Sequence, residues 1–491
     1  MKAWIEQEMA TAEMGDSRLV KRMKLMLERM TDSPMVSVKS AFKGWAEVMA
    51  AYRFFDNPRA SLEAVIGPHR EATLRRVKEH KRVLHIQDTT ELDYSLKKHL
   101  RGAGPLNDPS RTGFFAHNQL VISSERLVLG VWKTEIWARD DAGLGRSAER
   151  KHLPIEKKES YRWLQGYRDA CCLADLAPQT EVIACADREA DIYELFAEWH
   201  QRSAQGLKPA EWLIRCNENR RLSKRGPENP EQKVNTFETI REELQCSALL
   251  GILTIHIKAK EQWKKINGNR RKVSRSARKA ALEVRAATVT LRAPHRKHTE
   301  LPEVSIQVVM ATEKDPPTDE EPIEWVLLTS LAVNDFAGAA EIVQLYTGRW
   351  EIEVFHRVLK TGCKVEELQL KTDKRALVAI ALYMVVAWRV LYVMKLGREC
   401  PELPCDVVFE EEEWQSVWVI CYGVEGLKSK PSLGKFITKV AEFGGFLART
   451  ADGFPGAQAV WQGMTRMRDF ALAWHVYRQT QSQLHRGPTC V

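Results

Sequence analysis

Val182-Ile183-Ala184-Cys185-Ala186-Asp187 is a short, unbroken apolar run closed by a carboxylate, the pattern of a strand buried on both faces. A helical stretch (residues 159–174) precedes it, another (Ile192 to Gln201) follows, and Trp212-Leu213-Ile214-Arg215-Cys216 is a further strand. Upstream, Val83-Leu84-His85-Ile86-Gln87-Asp88, Phe114 to Ser123 and Leu127 to Trp137 are three more strands with turn signals between them. Three strands, helix, strand, helix, strand describes a mixed α/β sheet. Ligands of such sheets bind beyond the carboxyl ends of the strands. Asp88 and Asp187 stand at two such ends, where an aspartate serves either as a ligand or as a simple cap. Asp93, Glu189 and Asp191 are rival carboxylates close by.

Residues 1 to about 80 have a helical pattern. Leu19, Met23, Met26 and Leu27 recur at helical spacing beside Arg18, Lys21, Arg22, Lys24 and Arg29. A second stretch, His69 to Arg82, carries six cations against Glu71 and Glu79. These runs are either solvated faces or a DNA-binding module. Residues 222–335 hold alternating segments, among them Ile252–Ile257, Ala286–Leu291 and Ser305–Met310, and are expected to form a mainly antiparallel insertion. Helical character resumes near Ala339 and continues to about residue 396, and the remainder is a small helical domain. The sequence thus divides into 1–80, 81–396 with its insertion, and 397–491. The acidic run Glu410 to Glu413 is read as a solvated face.

The 491 residues, 44% hydrophobic and 28% charged, exclude collagen-like, disordered and disulfide-scaffold classes. The net charge of +9 is unevenly placed. Residues 258–298 hold 14 Lys/Arg against Glu261 and Glu283, a local net of +12, so the rest of the chain sums to −3. That points to a polyanionic partner along one segment. The ten cysteines contain no Cys-x-x-Cys pair and are expected to be reduced, without a zinc site, in a cytoplasmic protein. The N-terminus, with Glu6, Glu8 and Glu13, has no signal-peptide pattern. The most apolar stretch, Ala376 to Trp388, is interrupted at Arg389 and falls short of the roughly 20 residues that cross a membrane. It is expected to be a buried core helix, with no membrane contact.

Tyr346-Thr-Gly-Arg349-Trp-Glu-Ile-Glu353-Val-Phe-His-Arg-Val-Leu-Lys360 carries the chemistry. At about 100° per residue, Arg349, Glu353 and Lys360 fall near 300°, 340° and 320° from Tyr346, one narrow stripe, whereas Glu351 lies near 140°. A phenol, two cations and one carboxylate suit a phosphodiester, the cations for phosphate oxygens and the carboxylate for a metal. A salt-bridged helix with Glu353 neutralised by Arg349 is the other reading of the stripe. Asp88, Asp187 and Glu353 together could supply the carboxylates of a two-metal phosphoryl-transfer site.

With this segment the chain resembles the DDE transposases of bacterial insertion sequences, in the subgroup with the Y-(2)-R-(3)-E-(6)-K signature typified by the transposon-five enzyme. Tyr346, Arg349, Glu353 and Lys360 fit it at every spacing. Gln87-Asp88-Thr89-Thr90, Asp187-Arg188-Glu189-Ala190-Asp191, Glu324-Trp325-Val326-Leu327-Leu328-Thr329-Ser330 and Ala51-Tyr52-Arg53-Phe54-Phe55-Asp56-Asn57-Pro58 fit in order, and the likeness weakens only in the last hundred residues. The resemblance implies an RNase H-like α/β core with a β-rich insertion, flanked by helical domains. It implies Asp88, Asp187 and Glu353 as the catalytic, metal-binding triad, with two Mg2+ ions or Mn2+ in their place. Tyr346, Arg349 and Lys360 would contact DNA phosphates, and Trp325 would stack on a flipped base during hairpin formation. Trp325 is otherwise a core residue beside an apolar strand. Arg215, at the end of its strand, is a further candidate for a phosphate contact. The implied reaction is cut-and-paste transposition: a nick, a hairpin, its opening, and attack on target DNA. The active species would be a homodimer on double-stranded DNA, with the N-terminal module reading the terminal inverted repeats and the C-terminal domain dimerising. The competing readings are an RNase H-like metal-dependent nuclease and a non-catalytic DNA-binding regulator derived from a transposase.

Overall fold

The computed structural model describes residues 2–32, 41–42, 44–97, 99–140, 153–224, 235–257, 260–266, 269–275, 277–295, 300–318, 320, 322–450 and 452–484. Four helices come first: α1 (Ala3–Glu8), α2 (Ser17–Asp32), α3 (Gly44–Asp56) and α4 (Leu62–Val77). Strands β1 (Arg82–Asp93), β2 (Gly104–Pro105), β3 (Thr112–Ser123) and β4 (Val128–Trp137) follow. Next are α5 (Tyr161–Leu176), β5 (Glu181–Ala186), α6 (Tyr193–Ala204), β6 (Glu211–Arg215) and α7 (Ile240–Cys246). Then come β7 (Leu249–Ile257), β8 (Lys260–Ile266), β9 (Asn269–Arg275), β10 (Arg278–Leu291), β11 (Val304–Glu313) and β12 (Glu324–Thr329). The chain closes with α8 (Phe336–Gly348), α9 (Trp350–Arg357), α10 (Asp373–Glu399), α11 (Glu411–Tyr422), α12 (Leu433–Phe443) and α13 (Ala457–Leu484). This is the mixed α/β, RNase H-like class expected from the sequence, with helical segments on both flanks.

The chain forms two compact units. The middle unit holds Arg82–Gln87 and Ser147–Arg349. Its strands run in the order β1-β5-β6-β12-β11-β10-β7. β5 lies parallel to both β1 and β6, and its interior residues are buried, as an apolar run between two neighbours requires. The insertion is antiparallel, and it extends the same sheet from β6 through β12, instead of building a sheet of its own. β8 and β9 form a separate antiparallel hairpin. The basic run 258–298 falls in good part on this hairpin and on 296–299, so most of its side chains lie outside the described residues.

The outer unit combines Met1–Lys81, Asp88–Arg146 and Trp350–Val491, so the N-terminal and C-terminal helices share one unit. Antiparallel β2, β3 and β4 are its strands, joined by the last residues of β1, and Tyr94 N–H donates to the Thr112 carbonyl at 2.8 Å. α10 is its axis. By length and composition it could cross a membrane, but 89% of its apolar window is buried inside the fold. Arg389 does not end this helix. Its guanidinium is buried, donates to the Val408 carbonyl at 2.7 Å and lies 5.0 Å from the Trp4 ring, so the charge is held without a break.

Two expectations about charge change here. The acidic run is a solvated face only in part: Glu410 and Glu411 are exposed, but Glu410 and Glu413 form a capping box on α11, and Glu413 is buried and pairs with Lys2 at 2.7 Å. Glu410 also accepts the Ala3 N–H at 3.0 Å, so the run fastens the start of the chain. Cations of the second basic stretch are likewise used internally. Arg76 makes a bidentate pair with buried Glu8 at 2.8 and 2.9 Å, and Arg75 donates to the Gln7 carbonyl at 2.9 Å. Arg70 pairs with Glu63.

Candidate active site

β5 ends because Asp187 caps the next turn: its Oδ1 accepts the Glu189 N–H at 2.9 Å and starts the single 3-10 turn Arg188–Ala190. The carboxylate is left half-buried at the strand end. Asp191, its closest rival in sequence, has a different task. Its side chain is fully buried and accepts the backbone N–H groups of Asn217 and Glu218 at 2.8 and 2.9 Å. Arg220 adds Nε and Nη2 bonds at 2.9 and 2.6 Å, and its guanidinium carbon sits 5.8 and 5.6 Å from the Tyr193 and Phe196 rings. A carboxylate so saturated has no lone pair to spare for a metal. It fastens the segment after β5, which begins at Asp187, to the segment after β6, which follows Arg215.

Arg215, at the end of β6, is half-buried and donates to the Glu324 carbonyl at 3.1 Å, while β12 lies alongside with Leu327 opposite Arg215. Trp325 of β12 is half-buried and meets Tyr346 of α8 edge-to-face, ring centroids 5.8 Å apart. Arg349, the C-cap of α8, has its guanidinium carbon 6.0 Å from the Tyr346 ring. The electrostatics tie these groups to Asp187. Burial above all, and then Cys185 and Asp187, push the Tyr346 phenol up to about 12 against the opposing pull of Arg349 and Arg215. Burial holds the Arg215 guanidinium below its usual value; Arg188 and Arg349 act in the same direction, and Tyr346 and Asp187 oppose them. Arg188 and Arg349 therefore both act on Arg215, beside a neutral phenol and an aromatic face. Such a cluster suits an anion that accepts several charge-assisted bonds, as a phosphodiester does. Arg188 is a member missed in the sequence, although it directly follows Asp187.

The signature segment is not one helix. Gly348, buried and a poor helix former, closes α8, and Arg349 N–H bonds the Tyr346 carbonyl at 3.1 Å before α9 begins. Val358–Gly362 is then wound as a π-turn, which advances less per residue than an α-helix. Its Gly362 meets Trp461 of α13, where a Cβ would come within 3.2 Å of the indole. The single-stripe arithmetic assumed 100° throughout; Arg349, between the two helices, keeps helical dihedrals, and the departure comes at the π-turn that carries Lys360. Tyr346 and Arg349 belong to the middle unit, and Glu353 and Lys360 belong to the outer one. Lys360 lies 3.8 Å from Glu366, with Glu91, Asp93 and Arg111 also in its field, and burial lowers its pKa.

The two glutamates of α9 separate clearly. Glu351 is buried and paired with Lys395 of α10 at 2.7 Å, whereas Glu353 is half-buried. Asp88, in β1, is also half-buried, and its Oδ1 accepts the Thr89 N–H at 2.8 Å. Asp88 belongs with Glu353 to the outer unit, and Asp187 to the middle one. The last registered pair of β1 and β5, Ile86 with Cys185, stands two residues before each aspartate. Among the described residues no group of three or more His, Cys, Asp or Glu side chains is placed to hold a metal ion. Mg2+ seldom depends on such a cage, since one or two carboxylates, waters and substrate phosphates complete its shell. Three half-buried carboxylates are hard oxygen donors of the right chemistry.

Three family models match the chain. A transposase DNA-binding model matches residues 1–60, a transposase DDE-domain model residues 165–388, and a Tn5 transposase dimerisation model residues 385–483. The DDE match contains Asp187, Arg215, Trp325, Tyr346, Arg349, Glu353 and Lys360, and Asp88 precedes it.

Proposed function

Because the chain belongs to the Tn5-type DDE transposases, we propose that it cuts and pastes DNA: it binds terminal inverted repeats, cleaves the transposon ends through a hairpin and joins them to target DNA. Asp88, Asp187 and Glu353 are the residues that would hold divalent cations, Mg2+ or Mn2+ in its place. Bound there, these ions supply activation of the attacking oxygen and charge neutralisation at the leaving one. The protein's own share is positioning and electrostatics. Arg215 and Arg349 clamp the phosphate, with the uncharged Tyr346 hydroxyl as a hydrogen-bonding partner. Lys360 is a further cation for the backbone. Trp325 presents an aromatic face that replaces the stacking lost by a flipped base.

The observation that carries this reading is the gathering of Arg215, Trp325, Tyr346 and Arg349 around the strand end of Asp187. Residues 1–80 would read the repeats and 397–491 would pair two copies, with 81–396 as the catalytic part. The exposed Ile420, Tyr422, Leu472, Val476 and Tyr477 give the C-terminal helices an apolar surface for such pairing. The protein would act in the cytoplasm, on the nucleoid.

Glu353→Gln tests the triad. It should abolish strand cleavage and leave gel-shift binding of transposon ends within about twofold; cleavage at the normal rate would remove Glu353 from the reaction.

A further inference from the structure

Asn118 of β3 stands opposite Thr134 of β4, and both side chains are buried. The Thr134 hydroxyl donates to Asn118 Oδ1 at 2.7 Å, which turns the amide so that Nδ2 donates to His356 Nε2 at 3.0 Å. His356 lies on α9, three residues after Glu353, and is buried. The adjacent strand residue, His117, bonds in another direction: its Nδ1 meets the Thr89 hydroxyl at 2.9 Å. Successive strand side chains point to opposite faces. Thr89 and His117 therefore occupy one face, and Asp88, Asn118 and Thr134 the other. The His356 bond brings α9 onto the face that Asp88 shares.

We propose that Thr134, Asn118 and His356 form a positioning relay that fixes the rotation of α9, and with it the aim of the Glu353 carboxylate toward the Asp88 side of the sheet. All three are positioning residues, not catalytic ones. The inference rests on reading Asp88 and Glu353 as metal-site carboxylates. An apolar contact at His356 would bury as much surface but would let the helix turn. Two buried, directional bonds in series do not, because rotation would leave a buried amide unsatisfied. Outer-shell partners of this kind typically change metal affinity or activity about 10–100-fold when removed.

The test uses the full-length protein and three measurements: gel-shift binding of transposon ends, Mn2+ affinity by titration calorimetry, and single-turnover nicking over a range of Mg2+ concentrations. His356→Leu should leave end binding within about twofold, weaken Mn2+ binding at least about tenfold and raise the Mg2+ needed for half-maximal nicking by a similar factor. His356→Gln, whose amide oxygen can still accept from Asn118, should recover most of both. Unchanged Mn2+ affinity and Mg2+ requirement in a folded His356→Leu protein would overturn the relay, and so would failure of His356→Gln to recover either. If His356→Leu loses its cooperative melting transition, Thr134→Val, which removes only the orienting hydroxyl, decides by the same two numbers. Glu353→Gln runs in parallel: normal nicking there would refute the triad itself, whereas a dead Glu353→Gln beside an unaffected His356→Leu would refute the relay alone.

Discussion

The two units hold their candidate site residues by opposite means. In the middle unit a fully buried carboxylate, Asp191, grips two backbone N–H groups and the Arg220 guanidinium. In the outer unit, a hydroxyl, an amide and an imidazole, all uncharged, hold α9 to the strands. The charged lock is rigid because each partner would be costly to leave buried alone. It holds the segment that follows Arg215, a guanidinium that feels those of Arg188 and Arg349. The neutral lock fixes direction through hydrogen bonds alone. Position is thus held by an ion pair in one unit and by neutral hydrogen bonds in the other.

The contrast can be broken at several points. Asp191→Ala leaves two N–H groups unpaired and Arg220 without its carboxylate, and should cost about 3–5 kcal/mol of stability in urea denaturation. A loss below about 1 kcal/mol would mean that the lock is dispensable. Asn118→Leu removes the neutral lock and should cost less, about 1–3 kcal/mol by the same method; a loss equal to that of Asp191→Ala would erase the distinction. Trp325→Ala should let the first nick proceed and lower hairpin yield roughly 10-fold, from about 1–3 kcal/mol of lost stacking. Normal yields on a denaturing gel would return Trp325 to a packing role beside Tyr346. The smallest effect is expected from the basic run: each Lys or Arg changed to Gln within 258–298 should flatten the slope of log affinity against log salt by about 0.9 for every phosphate it had neutralised. A slope unmoved by four such changes would take this run off the DNA path.

β5 and the aspartate that ends it were legible because burial on both faces writes a continuous apolar run, and Val182–Ala186 has one; Asp88 was expected at a strand end too, but β1 runs on to Asp93 and Asp88 lies within it. The stripe from Tyr346 to Lys360 was legible only in part. Its spacing carries the signature, yet neither the break after Gly348 nor the π-turn at Val358–Gly362 leaves a periodic trace, because each depends on packing such as that of Gly362 against Trp461. Asp187 and Asp191 could not be separated by sequence, since what distinguishes them is Arg220 and two N–H groups some 26 to 29 residues later. His356 was passed over for the same reason: its partner Asn118 is 238 residues away. The run Glu410 to Glu413 reads as a solvated face until Lys2 and Ala3, at the far end of the chain, are seen to need it.

That last tie sets an order of assembly. The middle unit is built from one continuous segment plus six residues that precede it, so everything it requires has been made once Arg349 leaves the ribosome. The outer unit starts with the first residues of the chain but is fastened through Lys2 to Glu413. Its N-terminal helices find partners early, Glu8 with Arg76 of α4, but Lys2 and Ala3 meet Glu413 and Glu410 only once the last fifth of the polypeptide is made. A chain released early would keep the residues around Asp187 while Lys2 and Ala3 lacked the carboxylates that fasten them.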